Sequence, residues 1–205
     1  MSHNPPNPHL VGELGGLVPG TALDAGCGAG AEAVWLAAHG WRVTGVDISA
    51  TALAHATDRA ATSGVAEQVR WVEADLVVWD PGTRFDLVVS SYAHAAVPQL
   101  ELYDRLASWV APSGTLLIVG HRHSHSDHPD GEGSGHGHAH SHGQDSGQGD
   151  GPPAEATVTA AAVAARLDGA MWEVVTTEER HRTLRGPGGR EVTLDDVVVR
   201  ATRRP

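Results

Sequence analysis

Ala22-Leu23-Asp24-Ala25-Gly26-Cys27-Gly28-Ala29-Gly30 is followed by Val43-Thr44-Gly45-Val46-Asp47, which places Asp47 seventeen residues after Gly30. The first stretch reads as a strand running into a glycine turn, and Ala31 to His39 reads as the helix that follows, closed by Gly40. Val43 to Asp47 is then a second strand that ends in an acid. This order builds a crevice at the carboxyl ends of parallel strands, shaped for a nucleoside. Glycines in the turn let the backbone pass close beneath a ligand, with no Cβ in the way. Asp47 falls where a carboxylate can accept hydrogen bonds from ribose hydroxyls.

Gly26, Gly28 and Ala31 also satisfy the loose dinucleotide pattern G-x-G-x-x-G/A, but Asp24 argues against a dinucleotide. It stands two residues before Gly26, where a pyrophosphate would lie, and a carboxylate there repels phosphate. A nucleoside carrying positive charge suits the same place. S-adenosylmethionine (SAM) brings an ammonium and a sulfonium and has no phosphate.

The segment resembles motif I of the class I SAM-dependent methyltransferases. Val43 to Asp47 is similar to the second strand of that family, with its ribose-binding acid. Val69-Arg70-Trp71-Val72-Glu73-Ala74-Asp75-Leu76 resembles the third strand, whose terminal acid faces the adenine amino group. Phe85 to Ser91 resembles the fourth strand, and Ala111-Pro112-Ser113-Gly114 with Thr115 to Val119 resembles the turn and fifth strand. The likeness covers most of residues 20–120 and, more loosely, 155–203. It implies an α/β, Rossmann-like, doubly wound sheet of seven strands in the order 3-2-1-4-5-7-6, with the last strand antiparallel and helices on both faces. It also implies a cofactor site made of Asp24, Gly26, Cys27, Gly28, Gly30, Asp47, Ile48, Ala74, Asp75, Leu76 and Ser90. Within the family, size and layout resemble small detoxifying enzymes of the tellurite- and thiopurine-resistance type.

The chain has 205 residues, enough for one domain with a core. It carries 25 acidic and 14 basic residues, for a formal charge of −11, and every basic residue is arginine. No basic stripe appears, so binding of nucleic acid by charge is disfavoured. Without lysine, neither a Schiff base nor a P-loop is available. Cys27 has no second cysteine to pair with, which fits a reducing compartment. No signal peptide or membrane span is visible, and a cytoplasmic protein is expected. The residue pattern assigns no oligomeric state.

Residues 1–19 read as a loose tail over residues 1–9 and a short helix through Leu10, Leu14 and Leu17. Later elements are a helix over Ala50 to Thr62, capped by Ser49, and a helix over Leu100 to Val110. A further helix is expected over Ala156 to Leu167, then strands over Met171 to Thr177 and Glu191 to Thr202, joined by a turn at Arg185 to Arg190. Between them, residues 121–153 form a stretch rich in His, Gly, Ser, Asp and Pro. This composition cannot bury enough apolar surface to fold alone, so it reads as a flexible insert after the fifth strand.

Two chemistries remain open. Methyl transfer needs donor and acceptor held in line and, for some acceptors, a base. His94 and Tyr92, just after the fourth strand, are the catalytic candidates, as base and acceptor-orienting group; His121 after the fifth strand is a weaker one. A thiol or metalloid acceptor needs little help from a base. The alternative is a metal-binding or metal-sensing protein on the same scaffold. It rests on the alternating histidines of the insert: His123, His125, His136, His138 and His140 suit zinc, nickel or copper.

Overall fold

The computed structural model describes residues 5–122, 157–185 and 191–205. Helix α1 (Pro8–Leu14) starts where the Asn7 side chain accepts from the His9 amide and Pro8 supplies a preset φ. Strand β1 (Thr21–Ala25) leads through the glycine turn into α2 (Ala31–Ala38), then β2 (Arg42–Asp47) and α3 (Ala50–Thr62). Ser49 caps α3, its hydroxyl accepting from the Ala52 amide at 3.2 Å. Strand β3 (Val69–Glu73), strand β4 (Phe85–Ser91), helix α4 (Gln99–Ser108) and strand β5 (Val110–Arg122) follow. A two-residue strand, Thr157–Val158, joins β5, and helix α5 (Ala160–Ala164) precedes the hairpin of β6 (Trp172–Arg185) and β7 (Glu191–Arg203).

Apart from the two-residue strand, the described strands form one mixed sheet in the order β3-β2-β1-β4-β5-β7-β6, with β1 to β5 parallel and β7 antiparallel to both neighbours. This is the doubly wound order that the family resemblance implies. Alternation along the central strands divides the core in two. Leu87, Val89, Leu117, Val119 and Val198 pack with Leu10 and Leu14 of α1 and with α2. Val88, Leu116, Ile118, Val197 and Val199 pack with Leu102 and Leu106 of α4 and Val163 of α5. The order reverses beside β1, whose neighbours are β2 and β4, so the crevice opens at the carboxyl ends of these strands.

Several boundaries differ from the sequence expectation. β5 starts at Val110, before the Pro112-Ser113-Gly114 turn. The residues between its pairings to Phe85 and Leu87 bulge, and Ser113 takes a φ of 64°. β5 also runs through His121 and Arg122, two residues into the stretch read as a loop, because they pair with the Thr157–Val158 strand and His121 pairs with Asp196. The helix expected over Ala156 to Leu167 is the shorter α5, since Thr157 and Val158 are taken by the sheet. β6 extends well past Thr177, because β7 offers it a partner along its whole length. The tail is also more anchored than its composition suggests: Asn7 is buried, and the His9 Nε2 lies 3.0 Å from the Asp196 Oδ2. Among the described residues no helix is long and apolar enough to cross a membrane.

Candidate functional site

Where β1 ends, the chain turns on three glycines with positive φ: Gly26 at 75°, Gly28 at 50° and Gly30 at 74°. The Gly26 and Cys27 amides both donate to the Val46 carbonyl, at 2.8 and 3.0 Å, which ties the turn to β2. The three glycines answer different demands. A Cβ on Gly26 would meet the Ala93 Cβ at 2.3 Å, and one on Gly30 would meet Trp71 and Ala56 below 3 Å. Nothing lies within 4 Å of a Cβ on Gly28. Gly28 thus presents bare backbone to open space, while Gly26 and Gly30 are required by neighbouring protein. Gly26→Ala is expected to destabilise the chain by about 2 kcal/mol or more, from the left-handed φ and the collision with the loop after β4. Thermal unfolding of the purified variant checks this.

Asp47 braces the turn. Its Oδ2 accepts from the Gly28 amide at 2.8 Å and its Oδ1 from the Ser49 amide at 2.9 Å. Asp24 lies beneath the turn, 1% exposed, and its Oδ2 has no hydrogen-bond partner among the described residues. Burial pushes its carboxyl well above the ordinary carboxylate range; the charges of Glu32 and Asp47 add to this, and a bond from the Ala33 amide opposes it. The hydroxyls of Ser90 and Ser91, at the end of the adjacent β4, are likewise buried without a partner among the described residues. Asp24 and Ser90 thus hold buried polar atoms near the ends of β1 and β4 that no described residue satisfies, although neither they nor Ser91 line the cleft that opens over the turn. Cys27 is a packing residue: burial and the charges of Asp24 and Asp47 push its thiol far up, so it stays protonated.

A cleft of about 440 Å³ opens over this turn. Eight of the residues singled out in the sequence line it: Gly26, Asp47, Ile48, Ala74, Asp75, Leu76, Tyr92 and His94. Ile48 is an exposed apolar residue, 69% accessible, at the rim. Ala93, Ala95 and Ala96 complete the lining. Sequence gave no signal for these three; small side chains simply leave the space that a ligand needs.

The acceptor side is built from the ends of β4 and β5. Tyr92 has a φ of 57°, unusual for a residue with a Cβ, and its amide donates to the Val119 carbonyl at 2.9 Å. The kink turns its ring onto His121, 4.6 Å between centroids, and the His121 ring lies 5.5 Å from that of His94. The two histidines suggested separately by the sequence therefore belong to one stack. His94 is exposed, with its Nδ1 3.4 Å from the Gln99 Oε1. Gln99 is buried and donates from Nε2 to the Ala93 carbonyl at 2.9 Å. Beyond it, burial pushes the Tyr103 phenol up to about 12 against an opposing bond to Gln99. Helix α1 borders the same region. Its His9 reaches Asp196, directly opposite His121 in the sheet register, and the Asn7 amide donates to the Glu32 carboxylate at 3.0 Å.

The histidines proposed as metal ligands, His123, His125, His136, His138 and His140, lie outside the described residues. Among the described residues no cluster of three or more potential ligands is present.

Residues 22–114 match the family model of a methyltransferase domain. A ribosomal RNA small subunit methyltransferase C of Alcanivorax borkumensis is 37% identical over 110 residues, covering 51% of this chain and 33% of the relative. A probable thiol methyltransferase 2 of Arabidopsis thaliana is 39% identical over 80 residues, covering 39% of this chain and 35% of the relative. The chain thus spans about a third of the length of these two curated relatives. The crystal structure of the N-methyltransferase NodS from Bradyrhizobium japonicum, in complex with S-adenosyl-L-homocysteine, superposes with a TM-score of 0.62 at 19% identity. That match covers 96% of this chain and 84% of NodS, and it is a likeness of fold. With its glycine turn, its strand-end acids and its 3-2-1-4-5-7-6 sheet, the chain carries a methyltransferase domain over residues 22–114 on the fold of the class I SAM-dependent methyltransferases.

Proposed function

We propose that the chain transfers a methyl group from SAM to a small-molecule acceptor, with a soft nucleophile such as a thiol or a metalloid as the favoured class. The observation that carries the cofactor assignment is Asp24, a buried carboxyl with an unpartnered oxygen under a glycine turn. Such a group calls for a cationic donor, and the bare Gly28 backbone and the unpartnered Ser90 hydroxyl fit a ligand lying across the strand ends. When bound, SAM supplies an electrophilic methyl on a sulfonium that leaves as a neutral thioether.

In this proposal Asp24 receives the ammonium end of the cofactor and Gly26, Cys27, Gly28 and Gly30 form the floor. Asp47 accepts from the ribose with the lone pairs its two amide bonds leave over, and Ile48, Ala74, Asp75 and Leu76 enclose the base. Tyr92 orients the acceptor and His94 takes its proton. Among the described residues the partner of His94 is the amide oxygen of Gln99, and no carboxylate strengthens it as a base. That favours an acceptor that ionises readily, and a relative's name specifying a thiol points the same way. The name of a second relative specifies ribosomal RNA; against nucleic acid as the acceptor here stand the charge of −11 and the lack of a basic stripe.

Calorimetric titration of the purified chain with SAM and with NADH tests the cofactor. Binding of SAM without NADH is expected, and the absence of SAM binding defeats the proposal. Transfer of labelled methyl from SAM to a panel of thiols, compared with transfer to ribosomal RNA, tests the acceptor. His94→Ala is expected to lower turnover while SAM affinity is kept, only modestly for a thiol that ionises in solution and about 100-fold, the scale of one general base, for an acceptor that must be deprotonated on the enzyme. Full turnover in that variant across pH removes His94 from the mechanism.

A further inference from the structure

Between β3 and β4 the chain makes a single tight turn over Asp75 to Trp79. The Asp75 Oδ1 accepts from the Val77 amide at 2.8 Å, and its carbonyl accepts from the Val78 and Trp79 amides at 3.1 and 2.9 Å. The first residues of this turn, Asp75 and Leu76, line the cleft together with Ala74. No sheet pairing holds the turn in place, since β3 ends at Glu73. Burial of Leu76 and a bond from the Ala74 amide to the Asp47 carbonyl anchor its start, and one side chain on α4 holds its backbone from outside. The Arg105 Nε donates to the Leu76 carbonyl at 2.8 Å and its Nη2 to the Trp79 carbonyl at 2.6 Å. The guanidinium lies over the Trp109 ring, 5.2 Å from the centroid, and Trp109 meets Trp79 edge-on at 5.5 Å. Arg105 is thus fixed on one side by an aromatic face and spends two donors on the backbone of the turn. The planar fork of the guanidinium suits this double contact, which a single ammonium does not reproduce.

We infer that Arg105 is a positioning residue that sets the cofactor's base selectivity, by holding the Asp75–Trp79 turn so that Asp75 and Leu76 meet the edge of the nucleobase. The inference rests on the cofactor assignment proposed above. Arg105 does not line the cleft, so it acts through the turn. Discrimination at a base edge depends on acceptor and donor atoms held within a few tenths of an ångström, because a mispositioned carboxylate loses a directional bond while apolar contacts tolerate the shift. Loosening the turn should therefore weaken binding of the matching base and leave a mismatched base almost unaffected.

The test is the affinity of the full chain for S-adenosylhomocysteine and for S-inosylhomocysteine, which carries an oxo group in place of the adenine amino group. Both are measured by calorimetry, in the natural sequence and in Arg105→Met and Arg105→Lys. The natural chain is expected to prefer the adenosyl ligand by about tenfold or more. Arg105→Met is expected to reduce that ratio several-fold, mostly through weaker adenosyl binding, with Arg105→Lys in between. Equal weakening of both ligands in Arg105→Met assigns the arginine a general structural role and overturns the inference, as does an unchanged ratio. If Arg105→Met does not fold, the ratio in Arg105→Lys decides alone. Failure of the natural chain to bind S-adenosylhomocysteine instead defeats the cofactor assignment, an outcome distinct from an unchanged ratio in a chain that binds.

Discussion

Asp24→Asn is expected to weaken SAM binding by about 2–4 kcal/mol, roughly 30- to 1000-fold, while leaving the cofactor-free fold intact. The carboxyl is buried, one of its oxygens is unpartnered, and burial with the charges of Glu32 and Asp47 raises its pKa well above the ordinary value of 3.8. The sign of the linkage follows from that direction. The folded, cofactor-free chain holds the Asp24 proton more tightly than the unfolded chain does. Protonation therefore stabilises the fold fully at low pH, and this contribution fades as pH rises from near 3.8 towards the raised value. A cationic ligand prefers the ionised carboxylate, so binding expels the proton and affinity rises with pH until Asp24 is ionised in the free chain. In Asp24→Asn that rise disappears. Titrations in buffers of different ionisation enthalpy read the released proton directly. A variant that binds SAM normally, with the same pH dependence as the natural chain, contradicts the role given to Asp24.

Asp47→Ala is expected to lose both binding and stability, which separates it from Asp24→Asn. Removing this carboxylate strands the Gly28 and Ser49 amides that it accepts from at 2.8 and 2.9 Å. The turn then loses its brace at the residue with the barest backbone. The cost to the fold is about 2–3 kcal/mol, from two charge-assisted bonds in a part-buried site. SAM affinity is expected to fall about 100-fold or more, because the ribose contacts and the shape of the turn go together. Chemical denaturation with SAM absent measures the first effect, and calorimetry on the folded fraction the second. Normal stability in this variant would show that the two amide bonds contribute little. Normal SAM affinity would remove Asp47 from the cofactor site.

Much of this molecule is written in local chemistry, and those parts were legible in the sequence. Alternating or continuous apolar runs, Ser49 before an alanine-rich helix, and glycines after a strand reflect interactions within a few residues of one another. The strand order came from family likeness, and the structure reproduces it. Six of the eight cleft-lining residues were named from the family likeness and two, Tyr92 and His94, from their place after the fourth strand, and they meet because strand ends converge at the switch point of a doubly wound sheet.

The tertiary structure decided the rest, for a physical reason in each case. β5 and β6 run further than their own sequences suggest because a strand lasts as long as a neighbour supplies hydrogen bonds, and those neighbours lie far along the chain. Asp47 looked like a ligand residue alone, and only the folded turn shows that it first holds Gly28 and Ser49. The stack of Tyr92, His121 and His94 depends on a backbone φ of 57° at Tyr92, which residue type disfavours and the surrounding contacts impose. Arg105, on a helix that the sequence showed only as a helix, reaches carbonyls 26 and 29 residues away. Sequence by itself determined the alternation of strands and helices and the glycine turn, because periodicity and turn chemistry are local, and the motif resemblance supplied the sheet order. Which atoms of those residues are spent on the fold and which remain for a ligand is a question of three-dimensional satisfaction, and only the packed structure answers it.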